Sequence, residues 1–152
     1  MPVIRLAAFI AAALLLAPVL AWAAPKEVEA SIDEARQNCG AKIELGGKFM
    51  TRRDINADGV DDFILDYGEF SCDGMMSFFC GSAGCTQEVF ASLPGGAYVK
   101  VLDSNAHSID FKTVRGKPAM VLSLHGGSCG KAGAAECKQT LIWNGKTFKA
   151  SR

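Results

Sequence analysis

Lys138-Gln139-Thr140-Leu141-Ile142-Trp143-Asn144-Gly145-Lys146-Thr147-Phe148-Lys149-Ala150 is the stretch that decides the fold class. Residues 138–143 and 147–150 are short runs rich in β-branched and aromatic side chains, and Asn144-Gly145-Lys146 separates them. Asn and Gly tolerate the positive φ angles of a tight turn, so Asn-Gly between two such runs is the strongest local signal for an antiparallel hairpin. Working backwards, residues 108–114 and 118–124 flank Arg115-Gly116-Lys117, and residues 86–92 and 97–102 flank Leu93-Pro94-Gly95-Gly96. Further upstream, residues 48–55 lead into an Asp-rich loop and residues 63–67 lead out of it. Three consecutive hairpins predict a mainly β (α+β) domain, its antiparallel strands forming a sandwich or an open barrel.

One helix is expected at the start of that domain. Val28, Ile32, Ala35 and Cys39 recur at helical spacing over residues 26–38 and make a single apolar stripe. Glu27 and Glu29 near the beginning, Arg36 near the end and Gly40 beyond it suit the helix dipole and a glycine stop.

Residues 1–23 read as a cleavable secretory signal. Arg5 gives a positive start, residues 6–16 are unbroken Ala, Leu, Ile and Phe, and Ala21-Trp22-Ala23 supplies the small-x-small cleavage pattern. The apolar stretch to Leu20 contains Pro18 and is shorter than the about 20 residues that span hydrocarbon. The expected product is one domain, residues 24–152, periplasmic or secreted, with no membrane span after cleavage. Its 15 basic and 16 acidic residues nearly cancel once Arg5 is removed, so no global field attracts nucleic acid or anionic membrane.

All six cysteines fall after the signal. An even number in a small exported domain reads as a disulfide framework. Six cysteines allow 15 pairings and the sequence alone does not choose among them; the expected set is Cys80–Cys85 and Cys129–Cys137, which would close short loops rich in Gly and Ala, with Cys39–Cys72 left as the third pair. Zinc or dithiol redox chemistry would call for compact Cys-x-x-Cys pairs, and the sequence has none.

The most specific motif is Asp54-Ile55-Asn56-Ala57-Asp58-Gly59-Val60-Asp61-Asp62. Calcium is a hard cation that takes six to eight oxygens. Asp54, Asn56 and Asp58 alternate, so a curved loop can turn all three inward; Gly59 permits the bend, Val60 offers its carbonyl and Asp62 reaches back. These nine residues resemble the loop of FG-GAP and VCBS-type calcium repeats, Asp-x-Asn/Asp-x-Asp-Gly-x-x-Asp, and Phe63-Ile64-Leu65 resembles the strand that follows it there. An EF-hand would need Glu at its twelfth position, where this chain has Leu65. The chain carries a single copy, so the resemblance implies a structural Ca2+ turn between strands, not a propeller.

Two other stretches bear on function. Met75, Met76, Phe78 and Phe79 crowd a loop between Cys72 and Cys80, either as a lid on the core or as a surface for an envelope partner. Gly126-Gly127-Ser128-Cys129-Gly130 formally matches the nucleophile elbow of serine hydrolases, although His107 and His125 both precede Ser128 and the chain is short for that fold. The expected function is therefore a non-enzymatic binding module stabilised by calcium and disulfides; the alternative is a small secreted hydrolase using Ser128.

Overall fold

The computed structural model describes residues 23–150. The export signal therefore lies outside the described residues, apart from Ala23. The described residues form a β-rich α+β fold with antiparallel sheets, one α-helix and three disulfides.

Helix α1 (Lys26–Cys39) starts directly after Pro25, whose carbonyl accepts from the N–H groups of Val28 and Glu29. It stops at Gly40, which takes the left-handed conformation (φ 64°) and donates its N–H to the Arg36 carbonyl at 3.0 Å. Val28, Ile32 and Ala35 are buried, as the stripe predicts.

Eleven strands follow: β1 (Ile43–Leu45), β2 (Met50–Arg53), β3 (Asp62–Asp66), β4 (Phe70–Cys72), β5 (Cys80–Gly81), β6 (Gly84–Leu93), β7 (Ala97–Ala106), β8 (Ser108–Val114), β9 (Lys117–Leu124), β10 (Cys137–Trp143) and β11 (Phe148–Ala150). β7 pairs with the full length of β6 on one side, so β3 and β5 share its other side in succession. With β2 beyond β3 this completes the first sheet. The second sheet has the order β11-β10-β9-β8, and β1 pairs with β4 in a small ribbon. The three expected hairpins are β6–β7, β8–β9 and β10–β11.

Strand alternation divides the apolar residues between two cores. Phe63, Leu65 and Phe90 face α1 and join Phe49, Tyr67 and Phe70. Ile64 and Val89 face the second sheet and meet Met120, Leu122, Leu141 and Phe148. The first sheet is thus the middle of three layers, and the second sheet packs on it as a sandwich. Val89 pairs with Leu102 and Phe90 with Lys100, so Val101 is an extra residue in β7, a β-bulge. Both Val101 and Leu102 consequently reach the inter-sheet core.

The chain changes sheets at His107, the only residue between β7 and β8, whose N–H donates to the Ser123 carbonyl at 2.8 Å. Gly84 begins β6 at φ 94°, and a Cβ there would collide with the Ala106 carbonyl at this crossover.

Candidate metal centre

The acidic loop joins β2 to β3 and is wound by its own side chains. Asp54 follows β2, and its carboxylate accepts the N–H groups of Ala57 at 2.7 Å and Gly59 at 2.9 Å. Ala57 has φ 64° and Gly59 φ 84°. A left-handed alanine costs of order 1 kcal/mol, which these bonds offset. Asn56 Oδ1 accepts from Asp58 N–H at 3.0 Å, and Asp58 Oδ1 accepts from Val60 N–H at 2.8 Å.

Asp62 behaves differently from the other acids of the loop. It is fully buried at the first position of β3. Its Oδ2 accepts Ile55 N–H at 2.7 Å, and its Oδ1 accepts both the N–H and the hydroxyl of Ser92, each at 2.7 Å. Burial raises the Asp62 pKa above the ordinary carboxylate value, and the neighbouring Asp58 adds to that, against the opposing effect of the three donors. For Asp58, burial also favours the neutral form, but bonds from Val60, Ser92 and Asn56 outweigh it and lower the pKa.

Ser92, near the end of β6, links the two carboxylates. Its hydroxyl oxygen lies 2.8 Å from Asp58 Oδ2 and 2.7 Å from Asp62 Oδ1. A hydroxyl has one hydrogen and an ionised carboxylate has none to give. One of the two contacts therefore lacks a proton when both acids are ionised. A proton on one acid would supply the missing hydrogen, and a cation on Asp58 would offset the repulsion without supplying one.

Asp54, Asn56, Asp58 and the Val60 carbonyl offer the hard oxygen donors that calcium takes. The fit is partial. No group of three or more carboxylate, imidazole or thiolate side chains converges closely enough for a metal among the described residues. Asp62 has both oxygens committed to the core. Asp54 and Asp58 also accept loop hydrogen bonds on both oxygens but stay exposed, whereas Asp62 is fully buried; the residues that would hold Ca2+ are Asp54, Asn56, Asp58 and Val60, with Asp62 at the base of the loop.

Ser92 was not legible as part of this site from sequence, since nothing near it marks a bond to residues 30 and more positions away. The same holds for Tyr98, whose hydroxyl donates to the Asp61 carbonyl at 2.9 Å.

The apolar loop between Cys72 and Cys80 divides. Phe79 is half-buried and packs edge-on against Tyr67 and Phe70, with ring centroids 5.0 and 5.1 Å away. Met75, Met76 and Phe78 stay exposed, at 55 %, 50 % and 40 %. Lid and surface are both present, in different residues.

The Gly-Gly-Ser-Cys-Gly stretch forms a short 3-10 turn, Gly126–Cys129, rather than an elbow, and no helix follows over residues 131–138. A Cβ on Gly126 would strike the Ala132 carbonyl, and Gly130 caps the turn at φ 68°. Packing and capping thus account for both glycines. His107 and His125 line one cavity with Ser82 and Ser123, whereas Ser128 is exposed outside it and contacts His125 through the backbone, its N–H on the His125 carbonyl at 2.9 Å.

Cys39–Cys72, Cys80–Cys85 and Cys129–Cys137 are all bonded. Such bridges suit an oxidising compartment. No helix among the described residues is long and apolar enough to cross a membrane. No family model, curated protein or solved structure matches this chain.

Proposed function

We propose that this chain is an exported, non-enzymatic binding module of the bacterial periplasm or the secreted space. Three disulfides and a calcium-filled loop at Asp54, Asn56, Asp58 and Val60 stabilise it, and it engages an envelope partner through Met75, Met76 and Phe78. The observation that carries this reading is the exposure of those three side chains on one loop, anchored by Phe79 in the core and bounded by Cys72 and Cys80. Large apolar side chains grouped on a rigid base mark an interaction surface, and methionine adapts to the shape of a partner.

Calcium belongs to this reading as a structural ion. It would supply positive charge among Asp54, Asp58 and the Ser92-bridged pair, and it takes part in no reaction.

The test replaces Met75, Met76 and Phe78 together by Ser. The variant is expected to keep the circular dichroism and melting of the wild type and to lose a protein that the wild type retains from periplasmic extract. Equal retention by both proteins would sink the proposal, as would collapse of the fold, which would make the three side chains part of the core.

A further inference from the structure

The sandwich is open along one side. Among the described residues β2 pairs only with β3 and β8 only with β9, so each sheet ends there on a strand with a free backbone edge. A groove of about 450 Å³ runs between the two edges. Ile64 from β3 and Ile109 and Phe111 from β8 give it apolar walls, and all three belong to the margin of the inter-sheet core.

Its charge is one-sided. Lys48, Arg52 and Arg53 line it, and none of them makes an ion pair among the described residues. The one carboxylate there among the described residues, Asp66, already accepts Gln87 Nε2 at 2.6 Å and Gly68 N–H at 2.9 Å on its Oδ1. The register of β2 against β3 sets Thr51 opposite Ile64 and Arg52 opposite Phe63. Thr51 therefore lies on the inter-sheet face and Arg52 on the helix face. Arg53 shares the face of Thr51, and its guanidinium sits over the Phe111 ring, 5.5 Å from the centroid.

A strand laid beside β2 thus meets a cation on each of its faces and an apolar floor on the inner one. Charged residues on an edge strand deter pairing with further copies of the same chain. The same cations favour a strand of opposite charge. We infer that the β2 edge takes up an extended acidic peptide as an added strand. Its backbone pairs with β2, its apolar residues face Ile64, Ile109 and Phe111, and its carboxylates lie on the other face towards Arg52, while Lys48 and Arg53 add to the positive field of the groove. This surface is separate from the Met75–Met76–Phe78 loop, and the inference goes beyond the proposal made for that loop.

The test uses three fluorescent nine-residue peptides. One alternates Glu and Val, one alternates Lys and Val, and one keeps the Glu residues with Pro in place of each Val. The Glu-Val peptide is expected to bind at least about tenfold more tightly than either other peptide, because charge and strand pairing are both required. Its affinity is expected to fall at least about tenfold in Lys48→Glu/Arg52→Glu and to be unchanged in the Met75, Met76 and Phe78 serine variant. Amide resonances of residues 50–53 and 107–111 in the wild-type protein are expected to shift on binding. Equal binding of the three peptides overturns the inference, as does absence of binding at millimolar peptide or shifts confined to other residues. If the charge-reversed variant does not fold, the wild-type shifts and the peptide ranking still decide.

Discussion

Asp62 Oδ1 accepts both the backbone N–H and the hydroxyl of Ser92, each at 2.7 Å, across 30 residues of chain. The same carboxylate accepts Ile55 N–H on its other oxygen, so one buried acid ties the base of the loop to the far end of β6. Removing an acceptor from buried donors costs more than removing one donor from a charged acceptor that keeps its other bonds. Asp62→Ala strands the N–H groups of Ile55 and Ser92, the Ser92 hydroxyl keeping Asp58 as its acceptor, and should cost about 3 kcal/mol. Asp62→Asn should cost less, because the amide oxygen still accepts. Ser92→Ala should cost the least, about 1–2 kcal/mol, since the Ser92 N–H remains. Urea unfolding of the three variants checks the order. An Asp62→Ala loss below about 1 kcal/mol would show the linkage to be unimportant.

Calcium is expected to raise the melting temperature. With a dissociation constant near 10⁻³ M, on the order seen in extracellular modules, about 10 mM calcium stabilises by about 1.4 kcal/mol, roughly 5 °C. Asp58→Ala should abolish the shift while leaving the Asp62 bonds to Ile55 and to Ser92 N–H in place. No wild-type shift under these conditions would count against the metal. A full shift in Asp58→Ala would place the ion elsewhere.

The hairpins were legible because their signals are local. Asn144 Oδ1 accepts from Lys146 and Thr147 N–H groups, and Arg115 and Gly116 both have positive φ, so turn chemistry alone fixes both connections. The disulfide pairing agrees with the one that short, Gly- and Ala-rich loops favour, but six cysteines allow 15 pairings and the sequence alone does not choose among them. The β1–β4 ribbon was not legible: Ile43 meets Cys72 and Leu45 meets Phe70 across an intervening hairpin, with no turn signal to announce the pairing. The split of Phe78 from Phe79 was equally hidden, because only the positions of Tyr67 and Phe70 decide which ring finds a pocket. The loop at Asp54 to Asp62 could be read as a motif, but the sequence gives no sign that Asp62 turns inward to Ser92.

The bridges should differ in what they contribute. Cys39 and Cys72 are 33 residues apart in sequence, and Cys80 and Cys85 are 5 apart. Loop-closure entropy makes the longer cross-link worth about 1.5 kcal/mol more. Cys39 also ends α1, so that bridge ties the helix to β4. The double substitution Cys39→Ala/Cys72→Ala should lower stability by about 3–4 kcal/mol, and Cys80→Ala/Cys85→Ala by about 2 kcal/mol. Chemical denaturation under oxidising conditions reads the difference, and the reverse order would overturn the assignment.

Tyr67 and Lys100 converge on Glu88, and both should make the fold sensitive to alkali. Tyr67 is 3 % exposed and its hydroxyl donates to Glu88 Oε2 at 3.0 Å. Burial, with the nearby Glu88 charge, raises its pKa above the tyrosine range. Burial alone would lower the Lys100 pKa, but its bonds to Glu88 and Asp103 prevail and raise it. In each case the folded protein holds its proton more firmly than the unfolded chain. The stabilisation is therefore complete below the unfolded value, about pH 10, and is lost as pH rises towards the folded one. For Tyr67 the loss approaches about 1.4 kcal/mol per pH unit once the unfolded tyrosine is ionised. Melting curves collected from about pH 8 to 11.5 should fall steeply at the upper end for the wild type. Tyr67→Phe should begin lower at neutral pH, having lost the Glu88 bond, and then fall less steeply. Parallel curves for the two proteins would mean that Tyr67 is not among the groups that set the alkaline limit.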